Sequence, residues 1–203
     1  MSGKRAEKRE DLRTRLIEAA EARVIAGGLA ALRARDITTD AGCALGALYN
    51  AFADLDMLVL EVNARTLRRL DEAMTASLSS TADHGRQLHL LAQTYLDFAR
   101  REPNLWWALF QFHFPAEKTI PDWFSQEQAK LLIQIIRPLT GLQPKLDAQQ
   151  LMIRARTLFA AVHGIVSISL EKRFVGVPIE TLDGELTRFI DLLLAGLPVL
   201  DEH

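Results

Sequence analysis

Only one cysteine, Cys43, occurs among 203 residues. Counting alone excludes an internal disulfide, a cysteine-rich zinc site and an iron–sulfur cluster. No run approaches the ~18 to 20 consecutive apolar residues that a membrane helix needs. The opening Met1-Ser2-Gly3-Lys4-Arg5 leads into charge, not into an apolar signal core. The chain therefore reads as a soluble cytoplasmic protein with no membrane partner. A Gly-rich phosphate loop and a Gly-x-Ser-x-Gly elbow are both missing, and His84 and His89 stand five apart, the wrong spacing for a metal pair on a helix. No enzyme, metal site or cofactor is expected. Excess charge is lacking too: the formal net charge is -2, which excludes a uniformly basic nucleic-acid coat.

That balanced total conceals an uneven distribution. Residues 1–15 hold six basic side chains (Lys4, Arg5, Lys8, Arg9, Arg13, Arg15) against three acidic ones, whereas the first 55 residues hold nine against eight. The positive excess sits in a leading arm, which is either a phosphate-touching segment or a solvated tail.

Helical spacing recurs along the chain, and no alternating strand pattern stands out. An all-α fold of about nine helices is predicted. Leu12, Leu16, Ala20 and Val24 mark a first helix of about four turns, ended by Gly27-Gly28. Two short helices, Ala34 to Ala41 and Ala44 to Ala51, flank a Gly42-Cys43 turn and share an apolar face of Ile37, Ala41, Leu45, Leu48 and Phe52. Asp54 is positioned to cap the next helix, Asp83 the one after Ser77 to Asp83, and Asp147 a long helix running to about Arg173. Pro138, with Gly141 and Pro144, is expected to stop the helix that begins near Pro121. Gly176-Val177-Pro178 makes the last break, before a helix carrying Leu182, Leu186, Phe189 and Ile190.

Two short helices across a glycine turn, the second poor in long side chains, form a helix-turn-helix pattern. A helix entering a major groove about 12 Å wide brings its N-terminal end near the sugar-phosphate backbone, so Ala44, Gly46 and Ala47 permit close approach. Tyr49 and Asn50 are its polar tips. Cys43 in the turn reads as a small apolar filler.

On these residues the chain resembles the TetR/AcrR family of transcriptional regulators. The resemblance rests on Arg13-x-x-Leu16-Ile17-x-Ala19-Ala20, Gly27-Gly28, Asp36-Ile37, Ala41-Gly42 and Leu45-Gly46-Ala47-Leu48-Tyr49-Asn50-x-Phe52 followed by Leu58. It implies a DNA-binding domain over residues 1–54 and an effector-binding and dimerisation domain over 55–203. It also implies a homodimer formed through the last two helices, a double-stranded DNA operator and a small-molecule effector, with repression as the family default. Carried over by position, Arg33, Arg35, Thr39, Ala44, Leu45, Gly46, Ala47, Tyr49 and Asn50 lie at the DNA. A second segment, Leu158 to Val166, is similar to the Trp-His-Gly segment of one branch, with Phe159 where tryptophan is common. The chain departs from the pattern at Thr38, at Arg33 and Ala44, where a hydroxyl often caps the helix, and at Leu55, where lysine commonly reaches phosphate. Phosphate contact is thinned accordingly.

Nine of the fourteen aromatics lie between Tyr95 and Phe124. A pocket for a small, largely apolar or aromatic effector is expected from Tyr95, Trp107, Phe110, Phe114, Trp123, Phe159 and His163, with His113 as a further polar group to watch. An ordinary aromatic core is the competing account. The final helix carries more apolar surface than a peripheral helix needs, consistent with a symmetric four-helix interface or with burial inside one chain. The alternative function is a helical protein-interaction adaptor that has lost specific DNA binding.

Overall fold

The computed structural model describes residues 2–197. Among them are nine α-helices and one short 3-10 turn, with no strand. The helices are α1 (Ser2–Gly27), α2 (Ala34–Asp40), α3 (Leu45–Ala51), α4 (Leu55–Leu78), α5 (His84–Arg101), α6 (Pro103–Gln111), α7 (Asp122–Leu142), α8 (Ala148–Leu170) and α9 (Leu182–Gly196), with the 3-10 turn at Leu29–Ala31. Packing divides them into two compact units. One comprises the chain up to Arg68 together with Ala99–Ser125, and the other comprises Arg69–Phe98 together with the chain from Gln126 on. The division thus falls inside α4. The reason lies in the core. Leu16, Ala20, Val24, Ile37, Leu48 and Phe52 from the first three helices share one buried cluster with Leu58 and Val62 of α4 and Leu105 and Ala108 of α6.

Helix α1 is longer than its apolar stripe. The segment before Leu12 is rich in Lys, Arg and Glu, which favour helix without burial. The leading arm is therefore helical; the side chains of Lys4 and Arg5 lie outside the described residues. Gly28, at φ 67, ends the helix in the left-handed conformation that glycine adopts without steric cost, and its N–H donates to the Val24 carbonyl at 2.8 Å. Gly42, at φ 63, serves the turn between α2 and α3, where the Cys43 N–H closes on the Thr38 carbonyl at 2.9 Å. Cys43 is half-buried and packs against the core cluster. Asp54 caps α4 by accepting the Met57 N–H at 2.9 Å.

In the second unit, Leu88, Leu91, Tyr95 and Phe98 are the buried stripe of α5, and Asp83 caps that helix through the Arg86 N–H at 2.6 Å. Pro138 does not stop α7, contrary to expectation: the helix passes through it to Leu142. A mid-helix proline costs roughly 3 kcal/mol. Buried Leu131, Ile135 and Leu139, four residues apart, hold the helix on the core across that defect. Asp147 and Gln150 form a reciprocal capping box at the start of α8, at 2.8 and 2.9 Å. Helix α8 ends at Leu170, three residues short of Arg173, because Lys172 takes a positive φ of 54. By length and composition alone α8 is apolar enough to cross a membrane. Its Leu151, Ala155, Leu158, Val162 and Val166 form a stripe buried within this unit.

Candidate nucleic-acid interface and effector cavity

The inward faces of α2 and α3 are fixed first. Ile37, Ala41, Leu48, Ala51 and Phe52 are buried. Two arginines of α1 then seize the carbonyls that the helix C-termini leave without intrahelical partners. Arg13 donates from Nη1 to the Ala51 carbonyl at 2.7 Å and from Nη2 to Glu61 at 2.7 Å, with its guanidinium 4.3 Å above the Phe52 ring. Arg15 donates to the Ala41 carbonyl at 2.6 Å and to Asp11 at 3.1 Å. Arg13 is therefore committed within the fold, and Arg15, though exposed, is tied to the end of α2. Lys8 and Arg9 are exposed.

With one face locked, the other points outward. Arg33, Arg35, Thr39, Ala44, Leu45, Gly46, Tyr49 and Asn50 are exposed, Tyr49 at 53%, and Ala47 is half-buried. The Thr39 hydroxyl donates to the Arg35 carbonyl at 2.9 Å. A methyl group built on Gly46 meets nothing within 4 Å. Glycine inside a helix costs roughly 0.5–1 kcal/mol relative to alanine, and here no internal contact requires it. Neither Arg33 nor Ala44 supplies a side-chain cap to the helix it precedes, in keeping with the missing hydroxyls noted in the sequence.

The carboxylates beside this surface are paired with cations. Arg23 holds Asp40 at 2.6 Å and Asp36 at 3.3 Å, and these carboxylates raise its pKa, Asp40 most. Lys118, from the connection between α6 and α7, holds Asp54 at 2.8 Å and Asp56 at 2.6 Å. The paired carboxylates push the Lys118 ammonium up to about 12, and Lys118 holds Asp54 below the usual carboxylate range. Sequence reasoning missed this clasp: Asp54 was legible as a cap, but nothing in the pattern links it to a lysine 64 residues on.

The second unit carries a half-open apolar cavity of about 30 Å3. It is lined by Met74 of α4, Leu88, Leu91, Ala92 and Tyr95 of α5, Ile135 of α7, Leu158, Phe159 and Val162 of α8, and Ile190 of α9. No charged side chain contributes to that lining. Tyr95 Oη and His163 Nδ1 are 2.8 Å apart, Phe159 stacks on His163 at 5.7 Å and meets Tyr95 edge-on. Burial lowers the His163 pKa from its ordinary 6.5, favouring the neutral ring.

Three of the residues expected at an effector pocket, Tyr95, Phe159 and His163, are thus together. Trp107, Phe110, Phe114 and Trp123 belong to the other unit, where Trp107 and Phe110 pack edge-on against fully buried Trp106. His113 is exposed, 2.8 Å from the Gln111 carbonyl. The aliphatic lining was hidden in the sequence because a cavity wall and a core stripe share one spacing. Gly164, beside His163, is not explained by close packing, since a methyl group there would also meet nothing within 4 Å.

The family model described as the tetracyclin repressor-like C-terminal domain matches residues 88–193, more than half of the chain. The chain belongs to the tetracycline repressor-like family. Regulators of this family are non-enzymatic transcription factors that bind DNA and small-molecule effectors and typically dimerise, and they are typically soluble and cytoplasmic. Among solved structures, a protein of unknown function from Rhodococcus sp. RHA1 is similar in fold, with a TM-score of 0.74 at 21% identity over 91% of this chain and 94% of that one. RolR, solved in complex with resorcinol, gives 0.69 at 18% identity over 93% and 89%. A TetR-family transcriptional regulator from Streptomyces coelicolor gives 0.65 at 18% identity over 92% and 99%. At these identities the likeness is one of fold. Among curated proteins no sequence match is found.

Proposed function

We propose that this TetR-like chain is a ligand-responsive transcriptional repressor that binds a pseudo-palindromic operator as a homodimer. The observation that carries the reading is the outer face of α3. A seven-residue helix is bolted from behind by buried side chains and by Arg13, while Arg15 grips the Ala41 carbonyl at the end of α2. Helix α3 offers Leu45, Gly46, Tyr49 and Asn50 to solvent, with a glycine that no internal contact explains. A helix seated in a major groove, with its backbone close to the duplex, accounts for both facts. Arg33 and Arg35, exposed at the start of α2, are the phosphate contacts in this reading.

Dimerisation is assigned to α8 and α9. Only 28% of the most apolar stretch of α8 is buried within the chain. Ile153, Thr157, Ala160, Gly164 and Ile168 follow one another at three- and four-residue steps, a stripe of small and apolar residues suited to close helix packing. Leu192 on α9 is 74% exposed. Covering these faces with their symmetry mates removes apolar area from water and pairs two copies of α3, as a pseudo-palindromic site with half-sites about one duplex turn, roughly 34 Å, apart requires.

The effector is small, uncharged and apolar or aromatic, and it binds in the cavity beside Tyr95, Phe159 and His163. Support comes from the lining, which offers no partner to a charge, and from RolR, a protein of similar fold solved with resorcinol. A volume of about 30 Å3 holds one or two waters, whereas a benzene-sized ligand occupies a cavity of roughly 150 Å3. In this reading effector binding widens the cavity by spreading the helices around it, and a state with spread helices that binds DNA less well gives release.

Titrating the purified chain against its own upstream DNA and a scrambled duplex, at several salt concentrations, tests the DNA reading. Preference for the native duplex, lost in Tyr49→Ala and Asn50→Ala with unchanged melting temperature, is expected. Equal affinity for both duplexes overturns it in favour of the adaptor alternative.

A further inference from the structure

Four carboxylates flank the outward face of α2 and α3: Asp36 and Asp40 on α2, and Asp54 and Asp56 just beyond α3. All four are engaged by cations of the same unit, Asp36 and Asp40 by Arg23, Asp54 and Asp56 by Lys118. The exposed cations of α2 and its N-cap, Arg33 and Arg35, make no ion pair among the described residues. We propose that Arg23 and Lys118 are positioning residues for DNA binding that act as internal counter-charges: each offsets half of a carboxylate pair, so that with Arg33 and Arg35 this face carries four cations against four carboxylates instead of two against four. The proposal rests on α3 being the DNA-facing helix.

Distance makes the carboxylates matter. Helix α3 is about 10 Å long at 1.5 Å per residue, close to the roughly 12 Å width of the groove. Asp54 follows Ala51 by three residues, so its Cα lies within about 11 Å of the end of α3. A charge so near a groove-seated helix lies over the flanking phosphates, within about one Debye length at 0.1 M salt. A bare Asp54–Asp56 pair there would repel the duplex.

Lys118 is also held in place. Its N–H closes a turn on the Pro115 carbonyl at 3.0 Å, and its ammonium lies 5.9 Å from the centre of the Phe114 ring, which packs edge-on against Phe112. Asp54 has a second duty as the cap of α4. Asparagine caps as well as aspartate does, so the charge can be removed while the cap stays.

That separation defines the test. Dissociation constants of the full-length chain for its labelled upstream duplex are measured from 50 to 300 mM salt for wild type, Lys118→Gln, Asp54→Asn/Asp56→Asn and the triple variant, each with its melting temperature. Counter-charge action gives opposite signs. Lys118→Gln weakens binding roughly tenfold at 0.1 M salt, Asp54→Asn/Asp56→Asn tightens it by a similar factor with a steeper salt dependence, and the triple variant returns to wild-type affinity or better. A clasp that merely held α4 in place would weaken under both changes, and that result overturns the proposal. So does a Lys118→Gln affinity equal to wild type. Arg23→Gln is the parallel test, weakening binding in the same direction. A wild type with no preference for its own duplex overturns the DNA reading itself, which the wild-type titration alone reveals.

Discussion

Arg13 is the residue whose role the structure alters most, from a member of a basic arm to an internal bolt, and Arg13→Ala separates the two roles. The substitution removes a charged hydrogen bond to the last carbonyl of α3, worth about 1.5–3 kcal/mol. It also removes a guanidinium–aromatic contact on Phe52 of about 0.5–1 kcal/mol. The ion pair with Glu61, whose partners are 27% and 21% exposed, contributes at most about 1 kcal/mol. Freeing the arginine stem from one rotamer returns about 1–2 kcal/mol of entropy. The net loss is about 2 kcal/mol. At about 2–4 °C per kcal/mol for a chain of this size, the melting temperature followed by circular dichroism should fall by roughly 4–8 °C. Arg13→Lys, which keeps the charge but not the two-pronged grip, should fall by about half as much. A variant that melts within about 2 °C of wild type while losing DNA affinity refutes the reasoning and returns Arg13 to the phosphate backbone.

Three further outcomes follow from other parts of the molecule. Gly46→Ala should raise stability by about 0.5–1 kcal/mol, because the added methyl meets nothing inside the fold, and should weaken DNA binding; stabilisation with unchanged affinity would show that the face does not approach a duplex. His163 is held neutral by burial, so the unfolded chain takes up a proton that the folded chain resists. Stability should therefore be full above the ordinary histidine pKa of 6.5 and decline as pH falls below it, and melting curves at pH 7.5 and 5.5 should show a smaller difference in His163→Asn. Ile153→Arg combined with Leu192→Arg should raise the dimer dissociation constant by about 100-fold or more in sedimentation experiments, at little expense to the monomer because both side chains already stand in solvent.

The local architecture was legible because it depends on neighbours in sequence. Gly42, Asp54, Asp83 and Asp147 act within three or four residues of themselves, and the stripes of α1, α3 and α5 repeat at the helical period. What remained hidden depends on residues far apart. Arg13 reaches Ala51 and Glu61, Lys118 reaches Asp54, and Met74 meets Ile190 across a cavity, and no periodicity announces such pairings. Aromatic density between Tyr95 and Phe124 drew attention to a continuous stretch, yet that stretch straddles the two units, and the ring pair beside the cavity joins Tyr95 to Phe159. Pro138 deceived for a related reason: a breaker is judged locally, while the leucines and isoleucine that carry α7 past it act through the core.

The arginine bolts take hold of main-chain oxygens at Ala41 and Ala51, groups that every amino acid possesses. The lettering of the outer face is thereby uncoupled from the mounting behind it. On the proposed reading, Ala44, Leu45, Tyr49 and Asn50 can be rewritten, in nature or in the laboratory, toward a different operator, while Arg13 and Arg15 go on holding the same atoms in the same places.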